Sequence, residues 1–340
     1  MIKISNKLFF NENGPPLLIA EISANHGGSK KSFLSHILSA KKNGADLIKI
    51  QTYEPEDMVV KKNFMIKKGL WKNKNIFKLY NEAKTPFNWH NDAFKIAKKN
   101  NIILFSTPFS LRALNFLKKF NPPLYKISSF EITDLNLINE IAKLKKPIIL
   151  STGLSKFQEI KKAIKIIKKY HSKIILLHCI SGYPTPIHEA NLHNIELIKS
   201  KTKVSHVGFS DHTKGIYVSS SASMLNICAI EKHFILNKKI KSHDRSFSIT
   251  PVELKKLKKN ILKNNIIKIP TKKISEKNSF FFRRSLYAIK NILKGDKFSS
   301  KNIRSFRPNI GLGAENFFSI INKKAKRNIE KNEVLKIKDI

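Results

Sequence analysis

Two histidines, His212 and His233, stand where side chains could begin to do chemistry. The first closes Val204-Ser205-His206-Val207-Gly208-Phe209-Ser210-Asp211-His212, and the second closes Ile227-Cys228-Ala229-Ile230-Glu231-Lys232-His233. In each, a short apolar run stops and ligand-capable side chains follow at once. Two neutral imidazoles with carboxylates nearby suit Mn, Fe, Co or Zn. One such histidine alone is ordinarily a hydrogen-bonded structural residue. Two at the ends of consecutive runs read as a ligand pair. His26, His178 and His243 are weaker candidates.

Lys49 and Lys126 carry a second kind of chemistry. They interrupt the apolar stretches Ile48-Lys49-Ile50 and Tyr125-Lys126-Ile127. A lone lysine there can snorkel outward. Two of them, with Ser106, Thr107, Ser129, Ser151 and Ser210 at the run ends, point to an anion site. The ammoniums supply charge, and the hydroxyls donate to phosphate or carboxylate oxygens. Glu21, Glu131, Glu231 and Asp244 are the acid–base candidates. Glu21 ends the first apolar run, where stability gives little reason for a carboxylate. Asn25, His26, Gly27 and Gly28 read as the shapers of the loop after it. Cys179 and Cys228 read as reduced core residues, with no disulfide or metal cage.

These groups need a frame that brings run ends together. Apolar runs recur at 17–22, 47–50, 102–105, 124–127, 147–150, 174–177, 204–209 and 227–230. Helical patterns lie between them at 33–43, 89–100, 111–120, 135–144, 156–170, 191–200 and 217–225. Strand alternating with helix means a parallel sheet. Eight such units predict a closed (β/α)8 barrel, whose active groups collect at the C-terminal ends of the strands. No Gly-x-Gly-x-x-Gly follows the first strand, which argues against a dinucleotide fold. The pattern changes near residue 265. The barrel is expected over 1–265, a linker over 266–280 and a small β-rich domain over 281–340. That tail holds an internal repeat. Ala288-Ile289-Lys290-Asn291-Ile292-Leu293-Lys294-Gly295-Asp296 is echoed by Ala325-Lys326-Arg327-Asn328-Ile329-Glu330-Lys331-Asn332-Glu333, and Lys301-Asn302-Ile303 by Lys338-Asp339-Ile340. Each copy is expected to form a hairpin that turns at Lys-Gly-Asp or Lys-Asn-Glu.

The 340 residues carry 65 Lys+Arg against 24 Asp+Glu, a net charge of +41. The basic residues are spread over every surface helix, so a drift toward lysine explains them better than a nucleic-acid interface does. The positive field would still draw in an anionic substrate. Neither a signal peptide nor a membrane-spanning run is expected, which predicts a cytoplasmic protein. Two rivals need other features: a metal-dependent aldolase or hydrolase on the same barrel needs no lysine pair, and a nucleic-acid binder needs a concentrated basic patch.

Several motifs in order resemble the sialic acid synthase family. They are residues 20–28, Ile48-Lys49-Ile50-Gln51-Thr52-Tyr53, Ser106-Thr107-Pro108-Phe109, Leu150-Ser151-Thr152-Gly153, Leu177-His178-Cys179 with Tyr183-Pro184-Thr185-Pro186, residues 208–213, and Glu231-Lys232-His233-Phe234. The tail resembles that family's antifreeze-like (SAF) domain. Lys68-Gly69-Leu70-Trp71, Leu79-Tyr80, Ala83-Lys84-Thr85-Pro86, Trp89-His90, Ser128-Ser129-Phe130-Glu131 and Arg284-Ser285-Leu286-Tyr287-Ala288 are similar to its pseudaminic acid branch. The neuraminate branch typically has Gly-Ser-Gly-Glu at 128–131 and Asn where this chain has Ser181.

The resemblance implies a metal-dependent condensation of phosphoenolpyruvate with an amino sugar, here 2,4-diacetamido-2,4,6-trideoxy-altrose. N-acetylneuraminate or legionaminate synthesis is the alternative. By the same resemblance, Lys49, Thr107, Lys126, Ser129, Ser151, Ser181 and Ser210 would hold phosphoenolpyruvate. His212 and His233 would bind a divalent metal, Mn or Mg, with Co as the other option. Glu21, Gln51, Glu131, Tyr183 and Asp244 would face the sugar, Phe130 would pack an apolar sugar face, and Glu231 would orient a metal ligand. Arg307 and Phe281 would reach the sugar from the partner subunit of a domain-swapped homodimer.

Overall fold

The computed structural model describes residues 1–268 and 274–340. They form two compact units, one running to the end of the helix Pro251–Lys268 and the other beginning with the 3-10 stretch Ile274–Phe282. Residues 269–273, part of the expected linker, lie outside the described residues.

In the first unit, eight parallel strands among the described residues close into a barrel. They are β1 (Leu17–Glu21), β2 (Leu47–Thr52), β3 (Ile103–Pro108), β4 (Tyr125–Ile127), β5 (Ile148–Ser151), β6 (Ile174–Cys179), β7 (Val207–Asp211) and β8 (Ala229–His233). Each pairs with the next, and β8 returns to β1. This is the expected (β/α)8 barrel. The helices that begin at Lys30, Ile76, Leu111 and Leu135 start on side-chain caps: Ser29, Asn75, Ser110 and Asp134 each accept a first-turn N–H. Each such cap contributes about 1 kcal/mol.

Side chains alternate across each strand. The outward set, including Ile48, Ile50, Leu104, Tyr125, Leu150 and Phe209, packs on helix residues such as Phe33, Leu117, Ile141 and Leu257. The inward set from the first halves of the strands includes Leu17, Ile19, Leu47, Phe105, Ile149 and Leu177. Ile2 and Phe10 join this interior cluster from a small ribbon in which Ile2–Lys3 pairs with Phe9–Phe10. Fully burying each large apolar side chain contributes roughly 1.5–3 kcal/mol. A one-residue slip of any strand would turn its set outward, so the register is firmly held.

The strands outrun the apolar runs that announce them. β2 continues through Gln51 and Thr52, β3 through Ser106 and Thr107, β7 through Ser210 and Asp211, and β8 through Glu231 to His233. Most of the polar candidates are therefore held by sheet hydrogen bonds and not by loops.

The second unit has its own core, with Leu286, Ile292, Phe298, Ile303, Ile320, Ile329 and Leu335 buried together. Its repeat is arranged differently from the expected pair of separate hairpins. The strands β9 (Ser285–Ala288) and β10 (Ile303–Phe306) pair with one another, while the end of the second copy is a 3-10 turn, Ile337–Asp339. The two copies bond to each other reciprocally. Ile292 N–H donates to Ile329 O, and Ile329 N–H to Ile292 O; Gly295 N–H donates to Ala325 O, and Asn332 N–H to Ala288 O. The two turns match as well. Gly295 and Asn332 both have positive φ, at +96° and +71°. The Asp296 carboxylate accepts Leu293 N–H at 2.9 Å, and that of Glu333 accepts Glu330 N–H at 3.0 Å. The repeat is a local two-fold.

Candidate active site

The barrel register sets the polar residues in rows. His233 pairs with Glu21, and Glu21 with Lys49; Glu231 pairs with Ser210, and Ser210 with Cys179. Lys49, Lys126, Ser151, Ser210, Glu231, His212 and His233 open together on a cavity of about 340 Å³.

Four buried charges form its floor. Lys49 Nζ lies 2.9 Å from Glu21 Oε2 and 3.2 Å from Glu231 Oε1, and Lys126 Nζ lies 3.4 Å from the same Glu231 oxygen. Ser210 Oγ donates to that oxygen at 3.1 Å. Burial alone would lower the Lys49 pKa, but Glu21 and Glu231 hold it above the ordinary value. Burial acts to raise Glu231, yet Lys126 and Lys49 win and bring it to about 2. Lys126, with less compensation, is lowered by burial, and Glu21 is raised by it. Two cations and two carboxylates thus balance in the dry floor, where an isolated charge would be costly.

Hydroxyls surround the lysines. Thr107 Oγ1 and Ser151 Oγ are buried without a partner among the described residues. Ser129 Oγ accepts Gly153 N–H at 3.1 Å and lies 3.1 Å from Cys179 Sγ. Gly153 is required for this convergence. A Cβ there would stand 2.3 Å from Ser181 Oγ, 2.6 Å from Cys179 Sγ and 2.9 Å from Ser129 Oγ. Ammoniums and unengaged donors in one buried place suit an anion that brings several oxygens.

The two histidine rings lie 5.4 Å apart at one side. His212 Nδ1 donates to Ile180 O at 2.8 Å, which leaves the Nε2 lone pair free. Burial, then His233 beside it, lowers the His212 pKa to about 3, so its ring is neutral. His233 Nδ1 stands 3.6 Å from Asp244 Oδ2. Burial would raise Asp244, but His233 and hydrogen bonds from Ser23 and the Ala24 backbone hold it below its ordinary value. This donor set fits a divalent metal: adjacent imidazoles, one of them oriented by a carbonyl behind it. Among the described residues no group of three or more His, Cys, Asp or Glu is placed to hold a metal ion together. Further coordination positions would fall to substrate and water.

Aromatic rings stand over the histidines. Tyr183 lies 4.4 Å from His212 and 5.6 Å from Trp71, and Phe247 lies 4.8 Å from His233, measured between ring centroids. The loop carrying Tyr183 is pinned by Thr185, whose N–H donates to His212 O at 3.0 Å.

Most of the expected residues meet in this cavity. Lys49, Gln51, Lys126, Ser129, Glu131, Ser151, Tyr183, Ser210, His212, His233 and Asp244 line it; Glu21 lies beneath, against Lys49. Phe130 lines it too, although its side chain is largely exposed. Thr107 and Ser181 are not among the lining residues. Phe281 and Arg307 belong to the second unit, Phe281 exposed in the 3-10 stretch and Arg307 just after β10.

Several expectations need correction. Ser106 turns outward, where its hydroxyl donates to Ile50 O and lies 2.6 Å from Thr52 Oγ1, itself bonded to His90. His178 also turns outward, bonding Ala190 O and stacking on Phe209. Asp211 pairs at 2.9 Å with Lys232, buried on the outer side of the barrel. Strand alternation dictates all three. Glu231 does not orient a histidine; it bridges the two lysines, and the carboxylate beside His233 is Asp244. Cys179 faces the cavity instead of the core. Ser23, Tyr53 and Phe109, quoted above only as parts of motifs, also line it, as do Met58, Ile66 and Ile76, which no sequence motif marked.

A family model described as the NeuB family matches residues 36–271, and one described as the SAF domain matches residues 283–340. The chain is 41% identical to a pseudaminic acid synthase of Campylobacter jejuni, over 97% of this chain and 98% of that relative. It is 35% identical to an N,N'-diacetyllegionaminic acid synthase of the same species, over 94% and 98%. Among solved structures it is similar to an N-acetylneuraminic acid synthetase from Leptospira borgpetersenii in complex with citrate. The TM-score is 0.73 at 31% identity, covering 81% of this chain and 93% of that one.

Proposed function

The chain belongs to the NeuB family, and on that footing we propose that it condenses phosphoenolpyruvate, water and 2,4-diacetamido-2,4,6-trideoxy-altrose to pseudaminic acid, a nine-carbon nonulosonic acid, releasing phosphate. The observation that carries this reading is the buried Lys49–Glu231–Lys126 bridge, which lines one cavity with the unpartnered Ser151 hydroxyl and the two histidines. Identity to a pseudaminic acid synthase over nearly the whole chain supports the choice of sugar.

Lys49 and Lys126 hold the phosphate and carboxylate of phosphoenolpyruvate, with Thr107, Ser129, Ser151, Ser181 and Ser210 as neutral donors. Carbon 3 attacks the aldehyde carbon of the open-chain sugar. Water adds at carbon 2, and the tetrahedral intermediate expels phosphate with C–O cleavage. Charge that develops on the leaving group is met by lysines already fixed by their carboxylates, so little reorganisation is needed. Glu21, raised by burial, manages the proton of the attacking water. His212 and His233 would hold the divalent metal (Mn or Mg, or Co), which when bound supplies Lewis-acid polarisation of the aldehyde oxygen. Gln51, Glu131, Tyr183 and Asp244 contact the sugar, joined by Arg307 and Phe281 of a second copy in a domain-swapped homodimer.

The test is phosphate release by the pure protein from phosphoenolpyruvate with three sugars: the diacetamido-trideoxy altrose, its mannose-configured relative and N-acetylmannosamine. Release that requires the altrose sugar is expected. Preference for the mannose-configured relative would move the assignment to legionaminic acid, and no release with any sugar would overturn the reading.

A further inference from the structure

Above its charged floor the cavity turns apolar. Met58, Ile66, Trp71, Ile76, Leu79 and Ala83 line it there, and with Tyr80 they come from one segment, residues 54–86, between β2 and the helix Phe87–Lys99. This segment is built as a piece. Met65 bridges Asn75; Ile66 N–H donates to Lys74 O at 2.9 Å, and Ile76 N–H to Phe64 O at 3.0 Å. Its ends are tied by Glu54 and Lys84 at 2.7 Å. Its far side is clamped to the loop that carries Asp244: Trp71 Nε1–H donates to His243 O at 3.3 Å, and the His243 ring contacts Lys74 at 3.3 Å and Glu82 at 3.1 Å.

A fully hydroxylated sugar pressed against such a wall would lose water from its hydroxyls and find few partners, Tyr80 being the hydroxyl that the segment brings to the cavity. A methyl group would gain by the same burial. Charge on the floor can hold phosphoenolpyruvate, but it cannot tell one sugar substituent from another.

We propose that residues 54–86 are the specificity element of this enzyme, with Ile66, Ile76 and Leu79 receiving the methyl groups of a deoxy, N-acylated sugar. The inference rests on the condensation reading above. It makes the wall the selector of the sugar and the floor the holder of phosphoenolpyruvate.

The experiment compares Ile66→Thr and Ile76→Thr with wild type, and with Ile66→Leu as the conservative control. Both isoleucines are only half buried, so either variant alone carries the test if the other unfolds. The readouts are kcat/KM for the altrose sugar and for N-acetylmannosamine (or Ki for a sugar that is not turned over), with KM for phosphoenolpyruvate. The threonine variants are expected to lose roughly 10- to 100-fold with the altrose sugar, mainly through KM. The phosphoenolpyruvate KM should stay put and the preference should move toward N-acetylmannosamine, whereas Ile66→Leu, which keeps the wall apolar, should keep the wild-type preference for the altrose sugar. Equal losses with both sugars, a raised phosphoenolpyruvate KM or no loss overturns the wall. A wild type that condenses neither sugar overturns the wall and its premise together; one that condenses either, with an unmoved preference in the variants, overturns the wall alone.

Discussion

Lys49 Nζ and Glu21 Oε2 meet at 2.9 Å in the floor of the barrel mouth, with side chains only 5% and 1% exposed. Neither charge has water to fall back on, so each depends on the other. Lys49→Met would leave Glu21 and Glu231 buried with one cation fewer. Removing one partner of a buried pair costs about 3–5 kcal/mol, and thermal unfolding should show it. Adding Glu21→Gln to that variant should return part of the stability and none of the phosphate release. A Lys49→Met protein as stable as wild type would contradict the floor as described.

Gly153→Ala is expected to injure phosphoenolpyruvate use specifically. The added Cβ would meet Ser181, Cys179 and Ser129 at once and push apart the hydroxyls around the lysines. Displacements of this size cost on the order of 10²-fold in activity. Steady-state kinetics with each substrate varied in turn should show the larger change in the phosphoenolpyruvate KM.

Replacing both His212 and His233 by alanine should abolish phosphate release at any divalent metal concentration. Retained Mn binding, read by electron paramagnetic resonance, together with full activity would sink the assignment of the pair. A circular dichroism spectrum like that of wild type would show that the barrel survives the change.

Acid should unfold this protein earlier than its carboxylates alone would suggest. His26, His36 and His90 are held neutral by burial, with pKa lowered from 6.5 to about 4. His36 donates from Nδ1 to Ser32 O and accepts Leu236 N–H at Nε2, a pattern only the neutral ring can make. Between about pH 6.5 and 4 the unfolded chain binds more protons than the folded one, so stability falls as pH falls through that window. Urea midpoints measured across it should drop, and His36→Gln should flatten the slope.

The barrel was legible in the sequence because its interior and its helix layer are both apolar. Strands buried on two faces read as continuous runs such as Ile174-Ile175-Leu176-Leu177. The same property hid the facing of the polar residues beyond each run. Only the closed register tells that Thr107 turns in while Ser106 turns out, or that Lys232 goes to Asp211 while Glu231 goes to the lysines. Residues 54–86 were harder still. Ile66, Trp71, Ile76 and Leu79 are scattered without a strand or long-helix period, and only the folded segment turns them toward one cavity. The repeat in the tail was plain to see, but sequence identity between two copies does not say whether each folds on itself or on the other.

In the tail, each copy folds on the other. A repeat that stacks in line can be lengthened by adding units, whereas one that bonds reciprocally about a two-fold is complete at two. Ile292 and Ile329 spend their backbone groups on one another, so a third copy would find no place to enter. The tail is thus a dimer fused into one chain, and a damaging change at either isoleucine strikes both halves.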